Sequence, residues 1–193
     1  MIIMIIELSV IRLSQEAGMS VADRSIDPRI MESAKGEFLQ KGFLDASLQE
    51  ICKNAGVTTG ALYKRFKGKE ELFCALVDNT VQDLEEVVRQ KSVLPATLTD
   101  EQLKKAWDMD REYMQWWFDY LYDRYDEMRL LLVFSDGTKY ANFEHEWVES
   151  MSHTTYAYYK EARRRGLTKT DISEKELHVM LSSFWTAICE PLI

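Results

Sequence analysis

From Asp27 onward, apolar residues recur at the spacing of one helical face. Ile30, Ala34 and Phe38 set a stripe that Met31 and Leu39 widen. Asp27-Pro28 supplies an N-cap followed by Pro at the first helical position, and Gly42 closes the helix. Ser47-Leu-Gln-Glu50 has the spacing of a capping box, with each side chain able to satisfy a backbone N–H at the helix start. The second helix turns Leu48, Ile51, Cys52 and Ala55 inward and stops at Gly56. Thr58 can cap a third, short helix that buries Leu62 and Phe66. After Gly68 a long fourth helix carries Leu72, Phe73, Leu76, Val77, Thr80, Leu84, Val87 and Val88 on one face.

Leu94-Pro95 through Thr99 interrupts the pattern as a loop. Helical segments are expected near 100–124, 126–135, 142–165 and from Ser173 onward. Asp136-Gly137 marks a turn, and Ser173-Glu-Lys-Glu176 opens the last helix with a second capping box. There Leu177, Met180, Leu181, Phe184 and Ile188 form the stripe. No strand pattern and no internal repeat is present, so the expected class is all-α.

Composition narrows this picture. The 193 residues are 46% hydrophobic and 29% charged, a balance that excludes a disordered chain. Eight Gly and three Pro are too few for the turns of an all-β fold. Cys52, Cys74 and Cys189 have no metal-ligand spacing and are odd in number, which excludes a disulfide framework and fits a reducing cytoplasm. No apolar run reaches the roughly 18–20 residues of a membrane span. The opening Met1-Ile-Ile-Met-Ile-Ile is short and has no basic residue before it, unlike a signal peptide. Two readings of residues 1–18 remain open: an amphipathic N-terminal helix, or translated leader. Gln15-Glu16 can be encoded by CAG-GAG, a purine-rich ribosome-binding sequence just ahead of a start at Met19.

Net charge is −8, but residues 24–69 carry nine basic and five acidic groups while residues 70–193 carry 14 and 24. A basic segment on an acidic body fits a nucleic-acid contact joined to a separate domain. The basic segment holds a tight turn, Ala55-Gly56-Val57, between its second and third helices, which is the layout of a helix-turn-helix. The polar face that follows, Thr58-Thr-Gly-Ala-Leu-Tyr-Lys-Arg-Phe-Lys-Gly-Lys69, is cationic without one acidic residue.

Residues 28–76 resemble the DNA-binding domain of the tetracycline-repressor (TetR) family of bacterial transcriptional regulators. Gly42-Phe43, Ser47-Leu48-Gln49-Glu50-Ile51, Ala55-Gly56-Val57, Thr59-Gly60-Ala61-Leu62-Tyr63, Phe66 and Lys69-Glu70-Glu71-Leu72 carry the resemblance, in order and at the right spacing. Cys52 departs from the usual Ala, as a small buried hydrophobe. The remainder resembles the family's clostridial-type members more loosely, in Asp126-Glu-Met-Arg-Leu-Leu-Leu and Ser135-Asp-Gly-Thr.

The resemblance implies an N-terminal extension (1–26), a three-helix DNA-binding domain (27–70) and a helical effector-binding and dimerisation domain (71–193). It implies that Ser47 caps the second helix and touches a phosphate, and that Thr58, Thr59, Gly60 and Ala61 start the recognition helix. There hydroxyls and free N–H groups meet phosphate, and Ala61 or a Thr methyl meets a thymine methyl. Tyr63 offers its phenol to phosphate, Lys64 and Arg65 are the long donors able to reach guanine, and Lys69 favours a backbone phosphate. The family dimer uses its last two helices, here about 142–165 and 173–193. Relatives usually continue further past Pro191, which makes a shortened last helix the expectation.

Residues 107–159 hold fifteen aromatics, with Tyr113, Trp116, Trp117 and Tyr120 at i, i+3, i+4 and i+7. Core packing is the plain explanation of each ring; the sharper one is an effector pocket, since the polar tips of so many Trp and Tyr need partners when buried. Asp108, Asp110, Glu112, Asp119 and Asp123 interleave with these rings; any that lie inside suit a cationic or aromatic effector, and the others form a solvated face. His145, Glu149 and His153 share one helical face and suit a polar pocket. Positions eight apart lie about 12 Å apart along the axis, too far to share one metal ion. Arg163-Arg164-Arg165 ends its helix as the dipole favours. No catalytic set, phosphate loop or cofactor fingerprint appears, so neither enzyme nor cofactor is expected. The expected protein is a cytoplasmic homodimeric repressor on a pseudo-palindromic operator, released by a small apolar or aromatic effector. The alternative is an adaptor of the same fold that recruits a protein partner.

Overall fold

A computed structural model of the chain describes residues 28–92, 94–95, 97–106 and 110–193. The expectations for residues 1–26, the Asp27 cap, Trp107 and Asp108 lie outside the described residues. Every regular element among the described residues is helical: α1 (Pro28–Asp45), α2 (Leu48–Ala55), α3 (Thr59–Tyr63), α4 (Lys69–Lys91), α5 (Asp100–Lys105), α6 (Arg111–Asp123), α7 (Tyr125–Val133), α8 (Phe143–Arg164) and α9 (Glu174–Cys189), with a 3-10 turn at Glu190–Leu192.

The chain divides into two compact units. One holds α1–α3, α4 up to Gln82, α7 and the loop after it; the other holds residues 83–123 and 145–191. This division falls inside α4 rather than at residue 70, and it gives α7 to the unit of the three N-terminal helices.

In the first unit, Ile30, Ala34 and Phe38 of α1 are fully buried with Ile51, Leu62, Leu72 and Phe73. Phe38, Phe43 and Phe73 form an aromatic knot with centroids 5.2–6.1 Å apart. Gly42 breaks α1 at φ 72°, a conformation that costs glycine little, and the chain re-enters a last turn over Phe43–Asp45. The Phe43 N–H then donates to Phe134 O at 3.0 Å, and Lys35 pairs with Asp126 at 3.2 Å, tying α1 to α7. The α7–α8 loop is pinned in turn to α4. Tyr140 Oη donates to Asp78 at 2.5 Å, Lys139 Nζ pairs with Asp78 at 3.2 Å, and the Lys139 N–H donates to Glu70 at 2.9 Å.

In the second unit the expected 100–124 helix is two elements, α5 and α6. The Thr99 hydroxyl and Gln102 make a reciprocal capping box at α5. The Ser173–Glu176 box opens α9 as expected. The α9 stripe differs from expectation: Leu177, Trp185, Ile188 and Cys189 are buried, Leu181 and Phe184 are half-buried, and Met180 is 60% exposed. A helix packed along one side turns inward only the residues within its contact arc, and Met180 falls outside it. Leu98, Leu103, Tyr158 and Ala162 make a satellite core. Arg163–Arg165 do more than balance a dipole. Arg163 donates to Asp171 and Thr170 O, Arg164 to Glu161, and Arg165 to Glu161, Asp100 and Leu98 O. The three cysteines are buried, with free thiols. No helix among the described residues is long and apolar enough to cross a membrane.

Candidate nucleic-acid interface and effector cluster

The turn between α2 and α3 is built as its residues require. Gly56 sits in the left-handed region at φ 66°, and its N–H and that of Val57 close the α2 end onto Lys53 O and Cys52 O. Thr58 then caps α3, its hydroxyl accepting from the Ala61 N–H at 3.1 Å. With α3 anchored by buried Leu62 and by Phe66 just beyond it, the other residues of the segment face outward. Thr58, Thr59, Gly60, Tyr63, Lys64 and Arg65 are exposed, and Ala61 is half-buried. Tyr63 is 56% exposed and stands outside the core that Leu62 and Phe66 join. Gly60 is not a glycine the fold demands. Its φ is not positive, and a Cβ there would meet only the Thr58 hydroxyl, 3.9 Å away.

Beside α3 lies an open groove of about 1170 Å³, with Thr58, Gly60, Ala61, Lys64 and Arg65 along one wall and Glu70, Glu71, Cys74, Asp78 and Lys139 along the other. The carboxylates of the second wall are engaged within the protein: Glu70 accepts from the Lys139 N–H at 2.9 Å, Glu71 from the Lys67 N–H at 2.6 Å, and Asp78 pairs with Lys139 at 3.2 Å.

Two residues are placed differently from the sequence reading. Ser47 occupies the N-cap position of α2 with extended backbone, but its side chain makes no capping bond. The carboxylate expected to complete the box, Glu50, pairs with Lys53 at 3.2 Å, and the Ser47 N–H donates instead to Glu37 Oε1 at 3.0 Å. A tertiary partner displaces the local one. Lys69 is half-buried, and its ammonium donates to Leu44 O at 2.8 Å and Ala46 O at 3.0 Å, over the Phe43 ring. It closes the C-terminal end of α1, a use of its charge that spacing along the chain does not reveal.

The other candidate residues lie in the second unit. Trp117 and Tyr120 are buried and Tyr113 and Trp116 half-buried, with Trp116 stacked on Tyr120 at 5.5 Å. Burial pushes the Tyr113 phenol above its ordinary value. The sequence reading missed two members of this cluster. Trp147 from α8 and Trp185 from α9 pack on Trp117 at 6.5 and 6.4 Å and on each other at 5.6 Å. The indole N–H of Trp185 is buried with no acceptor among the described residues. The only sequence signal for either was an aromatic on an inward position. His145 and Glu149 are exposed on α8 and stand apart from the buried rings; the His145 ring faces His178 at 6.4 Å. His153 pairs with Glu174 at 3.0 Å, and no trio of described residues is grouped to hold a metal ion.

Comparison with known proteins agrees with this geometry. The model of the bacterial regulatory proteins of the tetR family matches residues 30–76. The HTH-type transcriptional regulator SrpR of Pseudomonas putida is 40% identical over 57 residues, which is 30% of this chain and 27% of SrpR. The chain thus matches about a quarter of that relative's length. Among solved structures, a TetR-family regulator from Streptomyces coelicolor superposes with a TM-score of 0.60 at 19% identity, covering 89% of this chain and 79% of that one. The TetR-family regulator PfmR of Thermus thermophilus gives 0.56 at 17% identity, covering 85% and 84%. These likenesses extend the shared fold well past the N-terminal domain.

Proposed function

We propose that this chain, whose residues 30–76 match the tetR family of bacterial regulatory proteins, is a regulator of that kind: a dimeric cytoplasmic repressor that a small, largely apolar or aromatic effector releases from its operator. The observation that carries the DNA-binding part is the exposed face of Thr58, Thr59, Gly60, Tyr63, Lys64 and Arg65, held over buried Leu62 and Phe66. Short side chains and a glycine admit close approach to a groove, hydroxyls reach phosphate, and Lys64 and Arg65 have the length to reach base edges. One five-residue helix reads too few base pairs to be selective, so two copies on a pseudo-palindrome are required. Val179 and Met180, 57% and 60% exposed on α9, support pairing through the last helices.

The effector part rests on the cluster of Tyr113, Trp116, Trp117, Tyr120, Trp147 and Trp185. The buried Trp185 N–H favours an effector with a hydrogen-bond acceptor among its flat, apolar surface. Signal passes through α4, one 23-residue helix, about 34 Å long at 1.5 Å per residue, that contributes to both units. An effector that prefers the form with displaced recognition helices weakens DNA binding by the same factor by which DNA weakens its own binding.

The test is a screen of small aromatic compounds by intrinsic Trp fluorescence, followed by DNA titrations of each responder. The proposal expects operator affinity to fall over the concentration range in which fluorescence changes. Compounds that change fluorescence at saturation yet leave DNA affinity intact would refute the lever. A protein partner that co-purifies, with no compound active, would favour the adaptor reading.

A further inference from the structure

We infer that Glu37, a buried carboxylate of α1, is a positioning residue for DNA contact: it holds the N-terminus of α2 through the Ser47 N–H and so leaves the Ser47 hydroxyl uncommitted for a backbone phosphate. The inference rests on the DNA-binding reading above and assigns a role within it.

Glu37 falls three residues after Ala34 and seven after Ile30, on the inward stripe of α1, where an apolar side chain is expected. Its side chain is 4% exposed. A carboxylate is retained in such a place only with bonds that offset its lost hydration. Oε1 receives two, from Lys41 Nζ at 2.8 Å and from the Ser47 N–H at 3.0 Å. Burial pushes the carboxyl up, but these two bonds outweigh burial and leave it below its ordinary value, ionised at neutral pH.

The Ser47 bond spans ten residues and joins α1 to the first turn of α2. In a capping box the N-cap N–H would be held by Glu50 and the hydroxyl would turn back onto the helix. Here Glu50 is paired with Lys53 and the hydroxyl makes no capping bond. Local capping is therefore replaced by a tertiary tie. The tie fixes where α2 begins relative to α1, and it frees the one hydroxyl at that helix start.

The test compares Glu37→Leu, Glu37→Gln, Ser47→Ala and the Glu37→Leu/Ser47→Ala pair. The probe is a duplex that the wild-type protein selects from fragments of its source genome. Glu37→Leu suits the apolar stripe and removes the tie; Glu37→Gln removes the charge but keeps an acceptor oxygen. The inference expects Ser47→Ala to bind about tenfold more weakly, as for one charge-assisted hydrogen bond, with unchanged thermal stability because no cap is lost. It expects Glu37→Leu to lose a similar factor, Glu37→Gln to bind nearly as wild type, and Ser47→Ala to add little in the Glu37→Leu background. Hydrogen exchange at the Ser47 amide should be fast in Glu37→Leu and slow in Glu37→Gln.

Full additivity of Ser47→Ala with Glu37→Leu overturns the inference, as does wild-type affinity in a folded Glu37→Leu. If Glu37→Leu does not fold, Ser47→Ala decides alone: a lowered midpoint of unfolding means that the hydroxyl caps α2 and overturns the inference. A wild-type protein that selects no DNA overturns the DNA-binding reading itself, a result distinct from all of these.

Discussion

Replacing Lys69 by Met removes a charge while keeping a long apolar stem, so it isolates what the ammonium does. That ammonium donates to Leu44 O and Ala46 O at 2.8 and 3.0 Å and lies 4.7 Å from the Phe43 ring centroid. A hydrogen bond to a charged group is worth about 1.5–3 kcal/mol when shielded, and an exposed cation–π contact about 0.5–1 kcal/mol. One of the two bonds is exposed to water and water replaces part of both, so the net loss expected for Lys69→Met is about 2 kcal/mol. At about 2–4 °C per kcal/mol for a chain of this size, the unfolding midpoint should fall by about 4–8 °C. Far-UV circular dichroism is the proper probe, because the described tryptophans, Trp116, Trp117, Trp147 and Trp185, lie outside the first unit and their fluorescence would miss its loosening. The matching DNA titration should show a weaker complex with little change in salt slope, since the charge is engaged with carbonyls rather than with phosphate. An unchanged midpoint together with a salt slope reduced by about one would refute this assignment and return Lys69 to the phosphate backbone.

Thr58→Ala removes the hydroxyl that accepts from Ala61 and should cost about 1 kcal/mol of stability by urea unfolding, along with DNA affinity; an unaltered urea midpoint would mean the cap carries nothing. Tyr140 should titrate late. Burial and the Asp78 carboxylate push its phenol up to about 12 from 10, so the stability it contributes is complete below pH 10 and is lost as pH rises toward 12. In Asp78→Asn the ultraviolet titration of that tyrosine should move back toward 10, and an unmoved titration would remove Asp78 from its causes.

Much of the first unit was legible because its signals are local. Gly42 and Gly56 adopt positive φ where the pattern ends a helix, and Thr58 caps where a hydroxyl precedes a short apolar period. The Ser173 box is equally local and forms as written. Ser47 has the same four-residue signature and does not form one, since a carboxylate ten residues earlier competes for its N–H; no periodicity encodes that competition. Lys69 and Arg165 are similar cases, with ammonium and guanidinium engaged by carbonyls 23–25 and 67 residues away. The aromatic face of α6 was visible at i, i+3, i+4 and i+7, but its completion by Trp147 and Trp185 depends on how three helices pack. The single residue Arg124 between α6 and α7 carries no Gly or Pro, so the assignment of α7 to the first unit was not readable from composition.

The most direct test of DNA recognition by this exposed face is selection from genomic fragments with the wild-type chain, then titration of the recovered duplex with a folded Lys64→Ala/Arg65→Ala double variant. The account predicts that the wild type enriches a pseudo-palindromic fragment and binds it as a dimer. Each lost base contact should cost about 1–3 kcal/mol, so the double variant should bind at least tenfold more weakly. Undiminished affinity in that variant would contradict the account.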